Sequence, residues 1–244
     1  MTKGLDPNAP TKGSGIPWPG ATPAHWHAVR LKYVSTFVTS GSRGWAEHYS
    51  DDGSIFLRIG NLARDGIDLD LSDTQRVQPP LGAEGERTAV AAGDLLVSIT
   101  ADIGSVAIVP EDLGPAYVNQ HLALVRLRSD VSPRFVGYAL RAHSLQGQFR
   151  LALYGGTKQG LGLDDVANLW IPLPPLPEQI RVATYLDDTA HRIDRVISKI
   201  REQIAKFHEY RTALISAAVT GKVDLRARPA ASAGFDKDSP IDEH

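Results

Sequence analysis

Two rhythms of apolar and polar residues divide this chain. From Ile16 to about Leu176 the apolar runs are short and bounded by turn residues. The clearest are Ser54 to Ile59, Asp94 to Thr100, Ser105 to Val109 and His121 to Leu127, punctuated by Asp52-Gly53, Asp65-Gly66 and Gly93-Asp94. Short apolar runs between Gly and Asp pairs predict strands and turns. A 3.6-residue period from Pro133 to about Leu153 predicts one amphipathic helix with Phe135, Ala139, Leu140, Phe149 and Leu153 on its buried side. A shorter helix is expected near Asp164, where an acidic residue suits the first turn. The fold class is therefore α+β: one globular domain with a curved, mostly β sheet and short helices, then one long coiled-coil α-helix.

The second rhythm starts after Ile171-Pro-Leu-Pro-Pro-Leu-Pro177, whose prolines predict a stiff extended connector, or alternatively a proline ligand for another domain. From Glu178 to about Thr220 there is neither Gly nor Pro. Pro177 suits a first helical position, Glu178 the positive end of the helix, and Gly221 its stop. About 43 residues at 1.5 Å each give roughly 60 Å. Along it Leu186, Ile193, Ile200, Phe207 and Leu214 share one heptad position, d. Ala183, Ala190, Ile197, Ile204, Arg211 and Ala218 share another, a. All but Arg211 are apolar, which is a coiled-coil seam. The chain has no second helix of that length, so the stripe needs a second molecule or its own domain to cover it.

The seam residues favour an antiparallel homodimer. In one register Ile197 faces Ile200, Ile204 faces Ile193, Ala190 faces Phe207 and Ala183 faces Leu214, so small meets large in the outer layers. The flanking positions then set Asp194 near Arg201 and Asp187 near His208. A shift of one heptad either way sets Asp194 or Arg201 against its own copy. Two-fold symmetry follows, and Arg211 opposite Leu186 is the one layer without an explanation.

The expected organisation is a disordered start over 1–15, a globular domain over 16–176, the long helix over 177–222 and a flexible tail over 223–244. With 42% hydrophobic residues among 244, a sizeable core is available. The absence of cysteine excludes disulfides and thiolate metal sites and fits a reducing cytosol. No apolar run approaches the roughly 20 residues that span a bilayer, and no signal-peptide core is present, so a cytoplasmic location is expected. The net charge of −2 runs against a nucleic-acid surface unless the basic residues cluster or partners supply phosphate contacts.

The residue types for DNA contact lie in loops and at strand ends. Thr157, Lys158 and Gln159 sit in a glycine-rich loop with a hydroxyl, an ammonium and an amide for phosphates or base edges. Arg43 and Trp45 lie by a Gly-flanked loop. Arg58 and Asn61 flank a strand end, and Asn119 and His121 a strand start; core hydrogen bonding is the bland alternative for these four. Trp18 and Trp26 read as packing residues. No S-adenosylmethionine loop, no Asn-Pro-Pro-aromatic motif, no histidines at metal-ligand spacing and no G-x-x-x-x-G-K-[ST] sequence are found, so neither a catalytic residue nor a metal ligand is assigned.

Four segments in order resemble the specificity subunit of type I restriction-modification systems. They are Ile16-Pro-Trp-Pro with Pro23-Ala-His-Trp26, Gly93-Asp-Leu-Leu-Val-Ser-Ile99, Gly155-Gly-Thr-Lys-Gln159 followed by Leu169 to Gln179, and Ala218 to Arg226 at the end of the helix. The resemblance implies a non-catalytic, DNA-binding target-recognition domain that reads half of a bipartite site on double-stranded DNA. It implies docking to methyltransferase subunits and, through them, to translocase and endonuclease subunits. S-adenosylmethionine, ATP and Mg are then expected in those partners and not in this chain. Such subunits usually carry two recognition domains and two long helices; this sequence has one of each, so a homodimer reading a palindromic site is expected. The alternatives are a coiled-coil adaptor and a truncated, non-functional specificity subunit.

Overall fold

The computed structural model describes residues 10–15, 20–41, 43–80, 82–153 and 160–222. In chain order the strands are β1 Thr11–Gly13, β2 Ala21–Pro23, β3 His27–Arg30, β4 Ser35–Ser40, β5 Tyr49–Ser50, β6 Ser54–Leu57, β7 Gln75–Val77, β8 Leu95–Ser98, β9 Val106–Ile108, β10 Ala116–Val118, β11 Leu122–Leu127 and β12 Trp170–Leu173. The helices are α1 Ala83–Thr88, α2 Pro133–Arg141, α3 His143–Leu153, α4 Leu163–Ala167 and α5 Leu176–Val219. The α+β class holds, and the β part is divided among sheets.

The central sheet has the order β4-β11-β8-β9 and is antiparallel throughout. Its two middle strands, Leu-Leu-Val-Ser and Leu-Ala-Leu-Val-Arg-Leu, are apolar at nearly every position because both faces are covered. Leu95, Val97, Ala123 and Val125 join the core with Phe135, Leu140, Leu145 and Phe149 of α2 and α3. Leu96, Leu122 and Leu124 join the other core with Leu57 and Val118 of the second sheet, β10-β6-β7-β5. The period-2 geometry of a strand sends alternate side chains to those two cores.

Two expectations about the elements change. The single helix expected from Pro133 to Leu153 is two, because Ala142 turns extended at ψ 132°. The break lets Phe135 and Leu140 on one side, and Leu145 and Phe149 on the other, reach the same core. Gln146 satisfies the freed Leu140 carbonyl through its amide nitrogen at 2.7 Å. The proline connector is partly a strand: β12 pairs antiparallel with β3, placing Pro172 opposite Ala28. Proline is tolerated there because this is a two-stranded sheet with a free edge. Gln148, buried on α3, occupies that edge by bonding both the N–H and the carbonyl of Trp170, at 2.7 and 3.1 Å.

The long helix runs 44 residues, about 66 Å. Contacts divide the chain into two units between Leu186 and Asp187, within α5 rather than before it. The first turns therefore belong to the globular unit. Gln179 and Ala183 are its buried helix residues, so Ala183 is a core residue of the domain and not an open seam position. The helix stops as expected at Gly221, which adopts φ 71°, while the Lys222 N–H bonds to the Ala217 carbonyl at 2.8 Å.

Candidate nucleic-acid interface

The end of the central sheet where β4, β8 and β11 meet their loops opens into a cleft of about 780 Å³, walled by Ser40, Gly41, Arg43, Thr100, Gln120 and His121 on one part and Gly160 to Leu163 on another. Two glycines let the walls close up. A Cβ on Gly41 would strike the backbone of Val118 and Asn119, and one on Gly160 would lie 2.6 Å from the Ile99 carbonyl oxygen. Loops distant in sequence are thereby packed backbone to backbone, with polar side chains between them. None of the described lining residues is a carboxylate, so the cleft departs locally from the net charge of −2. A lining with one arginine and no described carboxylate does not repel a polyanion.

Inside the cleft the Thr100 hydroxyl lies 3.0 Å from His121 Nδ1, and the Gln120 amide nitrogen lies 3.0 Å from His121 Nε2. With Gln120 donating to Nε2, Nδ1 carries the proton and donates to Thr100. The histidine thus ties two polar side chains together at the rim of the cleft. Gln120 carries no individual assignment in the sequence reading because nothing in its residue type separates it from its neighbours; the turn into β11 does.

The structure separates the other candidates. Arg43 lines the cleft and is exposed. Trp45 is 3% exposed, stacked on Phe56 at 5.5 Å and bonded through its indole N–H to Glu84; it packs a small core with Phe56 and Val77 and has no surface to offer DNA. Asn61 is buried, its amide donating to the Asp70 and Asp73 carbonyls and accepting from the Arg58 N–H. Arg58 pairs with Asp73 at 3.3 Å, away from the cleft lining. Asn119 is buried and accepts the His121 N–H at 3.1 Å, so it orients the histidine from beneath. Burial corrects the reading of Trp45 as a direct contact, while Asn61 and Asn119 make the core hydrogen bonds that were the alternative for them. Thr157, Lys158 and Gln159, like Trp18, lie outside the described residues; Gly160 lines the cleft.

The motif residues prove to be joints of the scaffold. Asp94 is 1% exposed and takes a bidentate pair from Arg126, at 2.8 and 2.7 Å, plus the Ala91 N–H at 2.7 Å. The Asp94 hydrogen bond holds the Arg126 guanidinium above its ordinary value. Glu178 accepts from the Trp26 indole at 3.1 Å and lies 2.8 Å from His25 Nε2. Burial pushes the Glu178 carboxyl up, but the hydrogen bonds from His25 and Trp26 and the charges of His25 and Arg181 outweigh it, and the net direction is down. Gln179 accepts the Ser132 N–H and donates to the Pro174 carbonyl.

Beyond Leu186 the helix carries its apolar stripe on the surface. Ile193, Ile197, Ile200, Ile204, Phe207 and Leu214 are all exposed, Phe207 at 69%. Ala190 is half-buried and Leu186 lines an apolar recess. Asp194, Arg201 and His208 are exposed beside the stripe, and Asp187 is half-buried. Among the described residues no group of three His, Cys, Asp or Glu could hold a metal ion, and no helix is long and apolar enough to cross a membrane.

The α+β unit thus carries a cleft with no carboxylate among its described lining residues and continues into a long helix. The family of the type I restriction modification DNA specificity domain matches residues 83–206, half of the chain, and the chain belongs to that family. It is 23% identical over 180 residues to the type I restriction enzyme EcoBI specificity subunit of Escherichia coli, a match covering 72% of this chain and 37% of that one. A chain from a structure of the assembly and conformational transition of the type I R-M system superposes with a TM-score of 0.65 at 23% identity, over 83% of this chain and 48% of that one. The HsdS subunit from Thermoanaerobacter tengcongensis gives 0.53 at 23% identity, over 75% and 41%. This chain spans less than half the length of each of these relatives, and the two structures speak to the fold alone.

Proposed function

We propose that this chain reads one half of a bipartite DNA site for a type I restriction-modification complex, and does so as an antiparallel homodimer. The observation that carries this reading is the uncovered stripe from Ile193 to Leu214 on a helix about 66 Å long. An apolar face of that length in water favours burial against a partner. A second copy offers the complementary face, with Ile197 against Ile200 at its centre and Asp194 near Arg201 beside it. Two recognition units related by two-fold symmetry then read a palindromic site, and the helix sets the spacer. Half-sites about one helical turn, ~34 Å, apart lie on one face of the duplex.

The cleft supplies the reading surface. Arg43 suits phosphate or guanine, and Gln120 suits adenine, whose major-groove edge takes a bidentate amide. Thr157, Lys158 and Gln159 belong to the same reading by residue type, a hydroxyl, an ammonium and an amide in a glycine-rich sequence. Methyltransferase subunits dock on the dimer and bring S-adenosylmethionine. Translocase and endonuclease subunits join through them, with ATP and Mg. This chain positions those activities and performs none of them.

The test is the assembled complex. Co-purified with its methyltransferase, the chain should retard one class of palindromic duplex selectively and direct methylation to it in cells. Retardation without site preference, or methylation of unlike half-sites, counts against the reading.

A further inference from the structure

Thr100, His121 and Gln120 form a short hydrogen-bonded chain in the wall of the cleft. The strands bring them together. β8 and β11 pair with Ser98 opposite Leu122, and just beyond that pair the Ile99 N–H donates to the His121 carbonyl at 3.0 Å. Thr100 and Gln120 therefore leave the sheet as neighbours on two adjacent strands. The buried Asn119 takes the His121 N–H, so the histidine backbone is held through both of its polar groups. All three residues are half-buried, ordered by their surroundings yet open to the cleft.

A neutral imidazole has one donor nitrogen and one acceptor nitrogen. The direction of the whole hydrogen-bonded chain is therefore set as a unit. The Gln120 amide nitrogen, 3.0 Å from His121 Nε2, needs that ring nitrogen as an acceptor. The ring proton then sits on Nδ1 and needs an acceptor of its own, which the Thr100 hydroxyl supplies at 3.0 Å. Among the described residues the Gln120 oxygen and its second N–H have no other side-chain partner, and both are left for the cleft. An acceptor beside a donor matches the N6 amino group and N7 of adenine. Turned over, the amide would give its oxygen to the ring and present two N–H donors, which match the N7 and O6 acceptors of guanine.

We propose that Thr100 and His121 are positioning residues that make Gln120 select adenine over guanine at one base pair of each half-site. This deepens the assignment of the cleft as the DNA-reading surface and rests on it. The hydroxyl fixes the tautomer, the tautomer fixes the amide, and the amide chooses the purine. Neither Thr100 nor His121 has to touch a base. Specificity at that pair is decided by groups one and two hydrogen bonds away from the DNA.

Two measurements on the full chain test this. In the complex with its methyltransferase, fluorescence anisotropy compares the preferred duplex with duplexes in which a single A·T pair of each half-site becomes G·C. Gln120→Ala should reduce the preference at one pair by roughly 5- to 150-fold. Thr100→Val, which keeps the branched shape and loses the hydroxyl, should reduce it at the same pair by about fivefold or more, with the other pairs within about twofold. Thr100→Ser, which keeps the hydroxyl, should match the parent within about twofold. Full preference retained in Gln120→Ala or Thr100→Val, or a loss spread equally over every pair, overturns the relay while leaving the cleft as a DNA surface. A parent complex without preference among duplexes overturns both. Without DNA, nitrogen-15 spectra of the chain labelled at its eight histidines should place the His121 proton on Nδ1, with the signal identified by its loss in His121→Phe. Thr100→Val should move that proton toward Nε2. A parent ring protonated on Nε2 overturns the relay whatever the DNA shows.

Discussion

The indole N–H of Trp26 donates to the carboxylate of Glu178 at 3.1 Å, joining residues 152 positions apart. The neighbouring Gln179 does the same work toward Ser132 and Pro174. Two adjacent polar side chains therefore fasten the first turn of a long helix to the front of the chain and to the loop ahead of α2.

The Glu178 joint should be pH-sensitive. Its carboxyl is held below its ordinary value of 4.5, so the folded state favours the ionised form. Its contribution is complete above the unfolded value and is lost as pH falls through the folded one. Glu178→Gln should lower stability by about 1–2 kcal/mol at neutral pH. In urea denaturation the gap to the parent should close toward pH 4 and below; a constant gap refutes the assignment.

Gln179→Ala should cost more, about 2–4 kcal/mol, because it strands a half-buried N–H and a buried carbonyl at once. Differential scanning calorimetry should show the loss in the globular transition. A shift within experimental error would mean that water replaces the amide.

The two halves of the Asp94–Arg126 pair should not be equivalent. Arg126→Met leaves a carboxylate that is 1% exposed with one backbone donor, at a cost of about 3–5 kcal/mol. Asp94→Asn leaves a guanidinium that is 41% exposed and can turn to solvent, so it should cost distinctly less. Equal denaturation midpoints for the two variants would contradict the burial argument.

Arg43→Ala should weaken DNA binding by the assembled complex by about 1–3 kcal/mol, roughly 5- to 150-fold, without altering the melting temperature. Asn61→Ala should do the reverse, lowering stability while keeping site preference. Fluorescence anisotropy on the same duplex separates the two. An Arg43 variant that binds normally removes the cleft from the reading.

Ile197→Asp with Ile200→Asp should give folded monomers, because both positions are exposed in the single chain and are apolar only for a partner. Light scattering reads the mass directly. A dimer of unchanged affinity would show that the stripe serves something else.

Much of this was legible in order and spacing alone. The strands around Leu95 and Leu122, the α+β class, the helix ending at Gly221 and the stripe along it follow from local periodicity and stop signals, which neighbouring residues determine. The family motifs were equally visible as letters. Their meaning was not. That Glu178 and Gln179 fasten the helix, that Asp94 holds Arg126, and that Asn119 supports His121 from below depend on residues brought together from far apart in sequence. The same holds for Trp45, which follows a glycine loop yet fills a core, and for Ala183, which keeps the heptad yet belongs to the domain. Periodicity assigns a residue to a face; only packing decides what covers that face, because burial is a property of the folded surroundings and not of the residue.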